Sequence, residues 1–179
     1  GGLDVLGGSR GEARVFWFEN TSDGTITFDE HRIEISGGGD LPPRVTGFNL
    51  DYADLNGDGR LDVALRDGRN GVVWLAQPED PAAVWTRHVI GDIAPEVLIG
   101  FALADIDNDG DLDLYIVNYG AKSVLKDGGK LDIVRENNRL TVRGPYANRI
   151  KFIGNEMFEF GEPDEFYLND GDGRFTLLE

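Results

Sequence analysis

Two stretches of the chain gather oxygen donors at a spacing that metal chemistry uses. Asp54-Leu55-Asn56-Gly57-Asp58-Gly59-Arg60-Leu61-Asp62 and Asp105-Ile106-Asp107-Asn108-Asp109-Gly110-Asp111-Leu112-Asp113 both follow the pattern D-x-[DN]-x-D-G-x-x-D. Side chains at alternate positions of such a loop converge on one point, and glycine at the sixth position permits the tight turn. Six or more hard oxygens suit Ca2+ rather than a transition metal. The spacing predicts Asp54, Asn56, Asp58 and Asp62 as side-chain ligands in the first loop, with the backbone carbonyl of Arg60. In the second loop the equivalents are Asp105, Asp107, Asp109 and Asp113, with the carbonyl of Asp111. An EF-hand opens in the same way, but it needs a bidentate Glu at position 12 and a helix on each side. Leu65 and Ile116 hold that position here, and the residues after each loop read as strands, so the loops are not EF-hands.

Other residues offer weaker chemistry. His31 and His88 occupy matching places in two repeats, and a structural role on a strand explains both; Trp17, Trp74 and Trp85 read as packing residues. Towards the C-terminus, Glu156, Glu159, Glu162, Asp164 and Glu165 lie among Tyr146, Phe152, Phe158 and Phe160. That mixture suits a paired-carboxylate site, a sugar-stacking surface or a solvated loop anchored by aromatics, and the sequence does not choose among them. No G-x-S-x-G, Walker A, H-E-x-x-H or dinucleotide fingerprint is present.

The elements that must hold the loops repeat with them. Gly47-Phe48-Asn49-Leu50 precedes one loop and Gly100-Phe101-Ala102-Leu103 the other. An apolar stretch follows as Val15-Phe16-Trp17-Phe18 and Val72-Val73-Trp74-Leu75, and then Glu30-His31-Arg32-Ile33 and Arg87-His88-Val89-Ile90. Gly2-Leu3-Asp4-Val5 matches Arg60-Leu61-Asp62-Val63, so the chain begins inside an earlier copy of the loop, with Asp4 as its ninth residue. The third copy closes with the hairpin Phe166 to Phe175, which aligns Tyr167 with the tryptophans, after an insertion at about residues 120–164.

Runs of four to seven residues rich in Val, Ile, Phe, Tyr and Trp between Gly/Asp/Asn clusters are strands. They are expected near 13–18, 25–28, 32–35, 45–50, 62–65, 71–75, 85–90, 98–104, 112–117, 131–134, 139–142, 150–152, 157–160, 166–168 and 174–178. The expected fold is all-β, with propeller-type blades of four antiparallel strands in about three repeats. The repeats run 1–53, 54–104 and 105–179, and closure of a propeller needs further blades or assembly with other chains through open blade edges.

Composition bounds the partners. With 33 Asp and Glu against 17 Lys and Arg the net charge is −16, which excludes nucleic acid and anionic membrane surfaces as natural partners. There is no cysteine, hence no disulfide framework and no thiolate site. No apolar run is long enough to insert in a membrane.

The segments Ala53 to Val63 and Ala104 to Leu114 resemble the calcium loops of FG-GAP repeats, also called VCBS repeats, the blades of the integrin-alpha type β-propeller. The third repeat, with its insertion ahead of the hairpin, is most similar to bacterial ASPIC/UnbV-type members; the family's Gly-Ala-Pro element has no match here. The resemblance covers residues 1–119 and 165–179. It implies a secreted or surface-exposed, calcium-binding, non-enzymatic domain for protein or carbohydrate ligands or for self-assembly. Two alternatives stand beside it: part of a propeller polysaccharide lyase or sugar dehydratase, and a structural subunit of a surface filament.

Overall fold

A computed structural model of the chain describes residues 3–9, 14–37, 44–69, 71–91, 93, 98–118, 123–124, 128–161 and 163–179. Every regular element among them is a β-strand, as the sequence predicts. The first sheet is an antiparallel meander of β1 (Val5–Ser9), β2 (Arg14–Asn20) and β3 (Phe28–Arg32). The second joins β5 (Val45–Ala53), β6 (Asp62–Asp67), β7 (Gly71–Ala76) and β8 (Trp85–Ile90), and a two-residue strand, β4 (Ile35–Ser36), adds to β8 in parallel. The third sheet pairs β9 (Leu98–Ala104) with β10 (Asp113–Asn118), β15 (Glu165–Asn169) and β16 (Phe175–Leu177). Between β10 and β15 stand two separate hairpins, β11 (Asp132–Glu136) with β12 (Arg139–Arg143) and β13 (Ile150–Ile153) with β14 (Glu156–Glu159). Of the insertion, residues 120–122, 125–127 and 162 lie outside the described residues.

The second and third sheets each start one strand ahead of the sequence period. β5 leads into the loop 54–62 and pairs with β6 on its far side; β9 and β10 bracket 105–113 in the same way. Each acidic loop is therefore the connection between two hydrogen-bonded strands. Positions 4 and 6 of both loops turn through left-handed backbone, at Gly57 (φ 70) and Gly59 (φ 84) and at Asn108 (φ 64) and Gly110 (φ 103). Glycine and asparagine are the residues that tolerate that region.

Three local differences have clear causes. β1 carries Gly7 and Gly8, poor strand formers that hide it in the sequence; pairing along β2 makes it a strand. β3 occupies 28–32, where strands at 25–28 and 32–35 were expected, because the Thr21 N–H donates to Thr27 O at 3.2 Å and carries the turn on to residue 27. In the third sheet Phe166, not Tyr167, takes the tryptophan position: Leu6 faces Trp17, Ala64 faces Trp74 and Tyr115 faces Phe166. Tyr167 instead points inward with Leu114 and Ile116.

The sheets pack face on face, and the central one is buried on both sides. Ala64, Val72, Trp74 and Ile90 meet Leu114, Ile116 and Tyr167 of the third sheet. The alternate residues Val63, Leu65, Val73 and Leu75 meet Val15, Ile33, Trp17 and Leu6 of the first. β6 and β7 consequently read as nearly continuous apolar runs, the signature of strands covered on both faces. The end sheets keep apolar faces open, with Val5 50% exposed on one and Phe166 39% and Leu178 51% exposed on the other.

On the first-sheet side of β6 a charge pair is fully buried: Arg87 Nη1 lies 3.3 Å from Asp67 Oδ2, with the side chains 3% and 0% exposed. Arg87 Nε also donates to Gly37 O at 3.0 Å, and Asp67 accepts the Arg69 N–H at 2.8 Å. Removing one partner strands the other charge in the core. Asp67→Ala is therefore expected to cost about 3–5 kcal/mol in urea unfolding, with Asp67→Asn milder; a loss below about 1 kcal/mol for Asp67→Ala would show that water reaches the pair.

Candidate metal centre

The ninth residue of each loop acts as a clamp. Asp62 Oδ2 accepts the Leu55 N–H at 3.0 Å and Oδ1 the Gln77 N–H at 2.9 Å. Asp113 does the same, with Ile106 N–H at 2.7 Å and Asn169 N–H at 2.9 Å, and Asp4 Oδ1 accepts the Asn20 N–H at 2.9 Å. One carboxylate thus ties the start of its own loop to the end of the third strand. Burial pushes the Asp62 carboxyl above the ordinary carboxylate range, the nearby Asp58 and Asp54 add to this, and the two amides oppose it. Each oxygen that accepts one amide keeps a second lone pair for a cation.

Positions 1, 3 and 5 of the second loop converge: carboxylate oxygens of Asp105, Asp107 and Asp109 lie within 4.8 Å of one another. Asp109 N–H donates to Asp107 Oδ1 at 3.2 Å and Asp111 N–H to Asp109 Oδ1 at 3.0 Å. Lost hydration holds Asp111 above the ordinary range, followed by the charges of Asp109, Asp105, Asp113 and Asp170. Asp107 is raised as well, by lost hydration and then by Asp109 and Asp113, against the Asp109 amide. A hard divalent cation would relieve that repulsion, and the donor set fits one.

The first loop holds the same positions in a different state. Asp54 accepts Asp58 N–H at 3.1 Å and Gly59 N–H at 2.9 Å, while Asn56 Nδ2 donates to Asp58 Oδ2 at 3.0 Å. The Arg60 guanidinium pairs with that same Asp58 carboxylate. The sequence suggests only the Arg60 carbonyl as a ligand and misses the side chain; the two loops differ in charge at position 3, Asn56 against Asp107, and at position 7, Arg60 against Asp111.

A residue outside both loops joins them. Asn169, 5% exposed, donates through Nδ2 to Leu55 O of the first loop at 3.0 Å and to Leu112 O of the second at 3.3 Å, and its Oδ1 accepts the Gly173 N–H at 3.2 Å. The hairpin turn it opens wedges between the sheets: a Cβ on Gly173 (φ +77) would overlap the Trp74 ring, and one on Gly171 would meet Asp111. The signal for Asn169 was its echo of Asn20, whose Nδ2 donates to Leu3 O at 3.3 Å.

The remaining candidates are structural in their contacts. His31 stacks on Trp17 and His88 on Trp74, both at 4.2 Å, and burial holds His88 below its ordinary value. Glu159 accepts from Ser123 at 2.9 Å and pairs with Arg149 at 3.8 Å, Asp164 accepts from Tyr115 at 2.5 Å and Asn118 at 2.9 Å, and Glu165 accepts from Tyr167 at 3.2 Å. These carboxylates go to separate local bonds, and Glu162 lies outside the described residues.

Residues 1–65 and 54–116 each match the family of FG-GAP-like repeats. No curated protein and no solved structure is significantly similar to the chain.

Because the Asn169 amide is buried and fully used, Asn169→Ala leaves two loop carbonyls and one amide without partners. The expected loss is about 1–3 kcal/mol in denaturant unfolding, with Asn169→Asp also destabilised because a carboxylate cannot donate. A neutral Asn169→Ala would mean that water replaces the bridge.

Proposed function

The chain belongs to the family of FG-GAP-like repeats, and we propose that it is a calcium-stabilised scaffold of propeller-type blades in an extracellular or cell-surface binding protein. Repeats of this family form domains of binding or adhesion-type proteins and are typically non-enzymatic. The observation that carries the calcium reading is the convergence of Asp105, Asp107 and Asp109 beside Asp111 and Asp113. When bound, the ion supplies charge neutralisation and joins loop residues to one centre. Asp105, Asp107, Asp109 and Asp113 with the Asp111 carbonyl would hold one ion, and Asp54, Asn56, Asp58 and Asp62 with the Arg60 carbonyl a second. An extracellular setting agrees with the family, whose repeats are usually extracellular, and would supply the calcium at the concentrations that extracellular modules bind. Among the described residues no helix is long and apolar enough to cross a membrane.

Ligand specificity is assigned to the insertion 120–164, since rigid scaffolds carry function on grafted loops. Its hairpins β11–β12 and β13–β14 pack chiefly on each other and enclose a groove of about 590 Å3, lined in part by Arg135, Arg139, Lys151, Leu140 and Phe152. That volume lies in the range of small-ligand sites, roughly 300–1,000 Å3, and suits a protein loop or carbohydrate.

Calcium is expected to raise the Tm over that in EGTA, because ions that bind only the folded state stabilise it. The shift depends on pH with a defined sign. Asp107 and Asp111 have raised folded values, so the stability they contribute is present below the ordinary carboxylate value of 3.8 and lost as pH rises through the raised values. Metal-free protein therefore suffers most near neutrality, and the calcium-induced Tm shift shrinks as pH falls from about 7 toward 4. A Tm indifferent to calcium at pH 7 would sink the metal reading.

Replacing 120–163 by a short Asn-Gly turn while retaining Asp164, which bonds Tyr115 and Asn118, should leave cooperative unfolding and the calcium shift intact. Collapse of the cooperative transition would instead place the insertion in the structural core.

A further inference from the structure

We infer that Arg60 is a built-in counter-cation that makes the two loops unequal: calcium enters 105–113 first and must displace a guanidinium to enter 54–62. This rests on the reading of both loops as calcium sites. The second loop carries five carboxylates, Asp105, Asp107, Asp109, Asp111 and Asp113, and no cation, whereas the first carries Asp54, Asp58 and Asp62 together with Arg60. Arg60 is held in place from two sides: its Nη2 pairs with Asp58, and its Nε donates to Gln77 O at 2.8 Å at the end of β7. The Gln77 N–H is the one that clamps Asp62 at 2.9 Å, so the guanidinium and the ninth-position clamp share one anchor.

The neighbours have closed around this internal cation. Asn56 donates its NH2 to the Asp58 carboxylate at 3.0 Å while its Oδ1 accepts the Asp58 N–H at 3.1 Å, and each Asp54 oxygen accepts one backbone amide, at 3.1 and 2.9 Å. In the second loop Asp105 takes no hydrogen bond among the described residues, and its carboxylate stands in the group with Asp107 and Asp109. Arginine stays charged at any physiological pH, so its competition with calcium does not lapse. A divalent ion entering 105–113 relieves repulsion with nothing to evict. An ion entering 54–62 must break the Arg60–Asp58 pair and compete with the Asn56 NH2 for the Asp58 carboxylate. Charge count tunes the affinity of oxygen-donor loops in the same direction.

Calorimetric titration of the metal-free 179-residue chain with calcium chloride tests this. Two unequal steps are expected, with Asp109→Asn abolishing the tighter one. Arg60→Ala should tighten the weaker step about two- to fivefold, the worth of a partly exposed charge pair, without moving the tighter. Arg60→Lys, which keeps the charge, should stay near wild type. In EGTA, Arg60→Ala should melt lower than wild type and gain more on adding calcium, a readout independent of the titration. Equal affinities, or a weaker step that Arg60→Ala leaves unchanged or weakens, would overturn the role of Arg60 while leaving the calcium reading standing. Absence of any binding heat would overturn both.

Discussion

The arrangement depends on one recurring contact, a buried carboxylate that ties two backbone segments together. Asp62 and Asp113 each accept an amide from their own loop and another from the end of the next strand in the sheet. Without that tie, the acidic loop would be a long turn full of like charges, held only by its flanking strands and its own internal hydrogen bonds. With it, the loop's first turn and the third strand share one anchor, and the other carboxylates are held where repulsion among them is unavoidable. The clamp therefore creates an electrostatic problem, which in the first loop the Arg60 guanidinium relieves in part by pairing with Asp58.

The same contact sets the spacing of the blades. Asn169 extends the clamp of the third sheet sideways, reaching the first loop through Leu55 and its own loop through Leu112. The two acidic loops thus form one structural unit, with the turn around Gly171 and Gly173 seated between them and against Trp74. Apolar packing does the larger share of the work behind this rim, since the central sheet buries alternate residues against both neighbours. The polar bridges fix the register in which those faces meet, which hydrophobic contact alone leaves loose.

Scaffold and insertion differ in kind. The blades are built from repeating contacts, while the hairpins between β10 and β15 have no counterpart in the other sheets and pack mainly on each other. Asp164, at their base, closes the junction by accepting from Tyr115 and Asn118. Tyr115 in turn stacks on Phe166 at 4.8 Å, so the junction is anchored on the third sheet's open face. A segment joined in this way can vary without disturbing the loops, which is how repeat scaffolds acquire different partners.

The sequence by itself determined the class of fold, the location of both acidic loops and the insertion, because these follow from local rules. Alternation and turn residues mark strands, and a repeated ligand spacing stands out against composition. It also marked Asp62 and Asp113, although as ligands and not as clamps, since one-dimensional spacing does not reveal which amides a carboxylate meets. Only the tertiary structure decided the rest. The pairing of Asp67 with Arg87 has no repeat to announce it, and it forms because two strands bring those side chains to the same buried face. Phe166 rather than Tyr167 took the tryptophan position because strand register, fixed by Tyr115 and Leu114 across the ladder, decides which side of the sheet each residue faces. Asn169 gained its bridging role, and Arg60 its grip on Asp58, from the approach of segments distant in the chain or tied to Gln77. Local preference sets what a residue can do, and the neighbours delivered by folding set what it does.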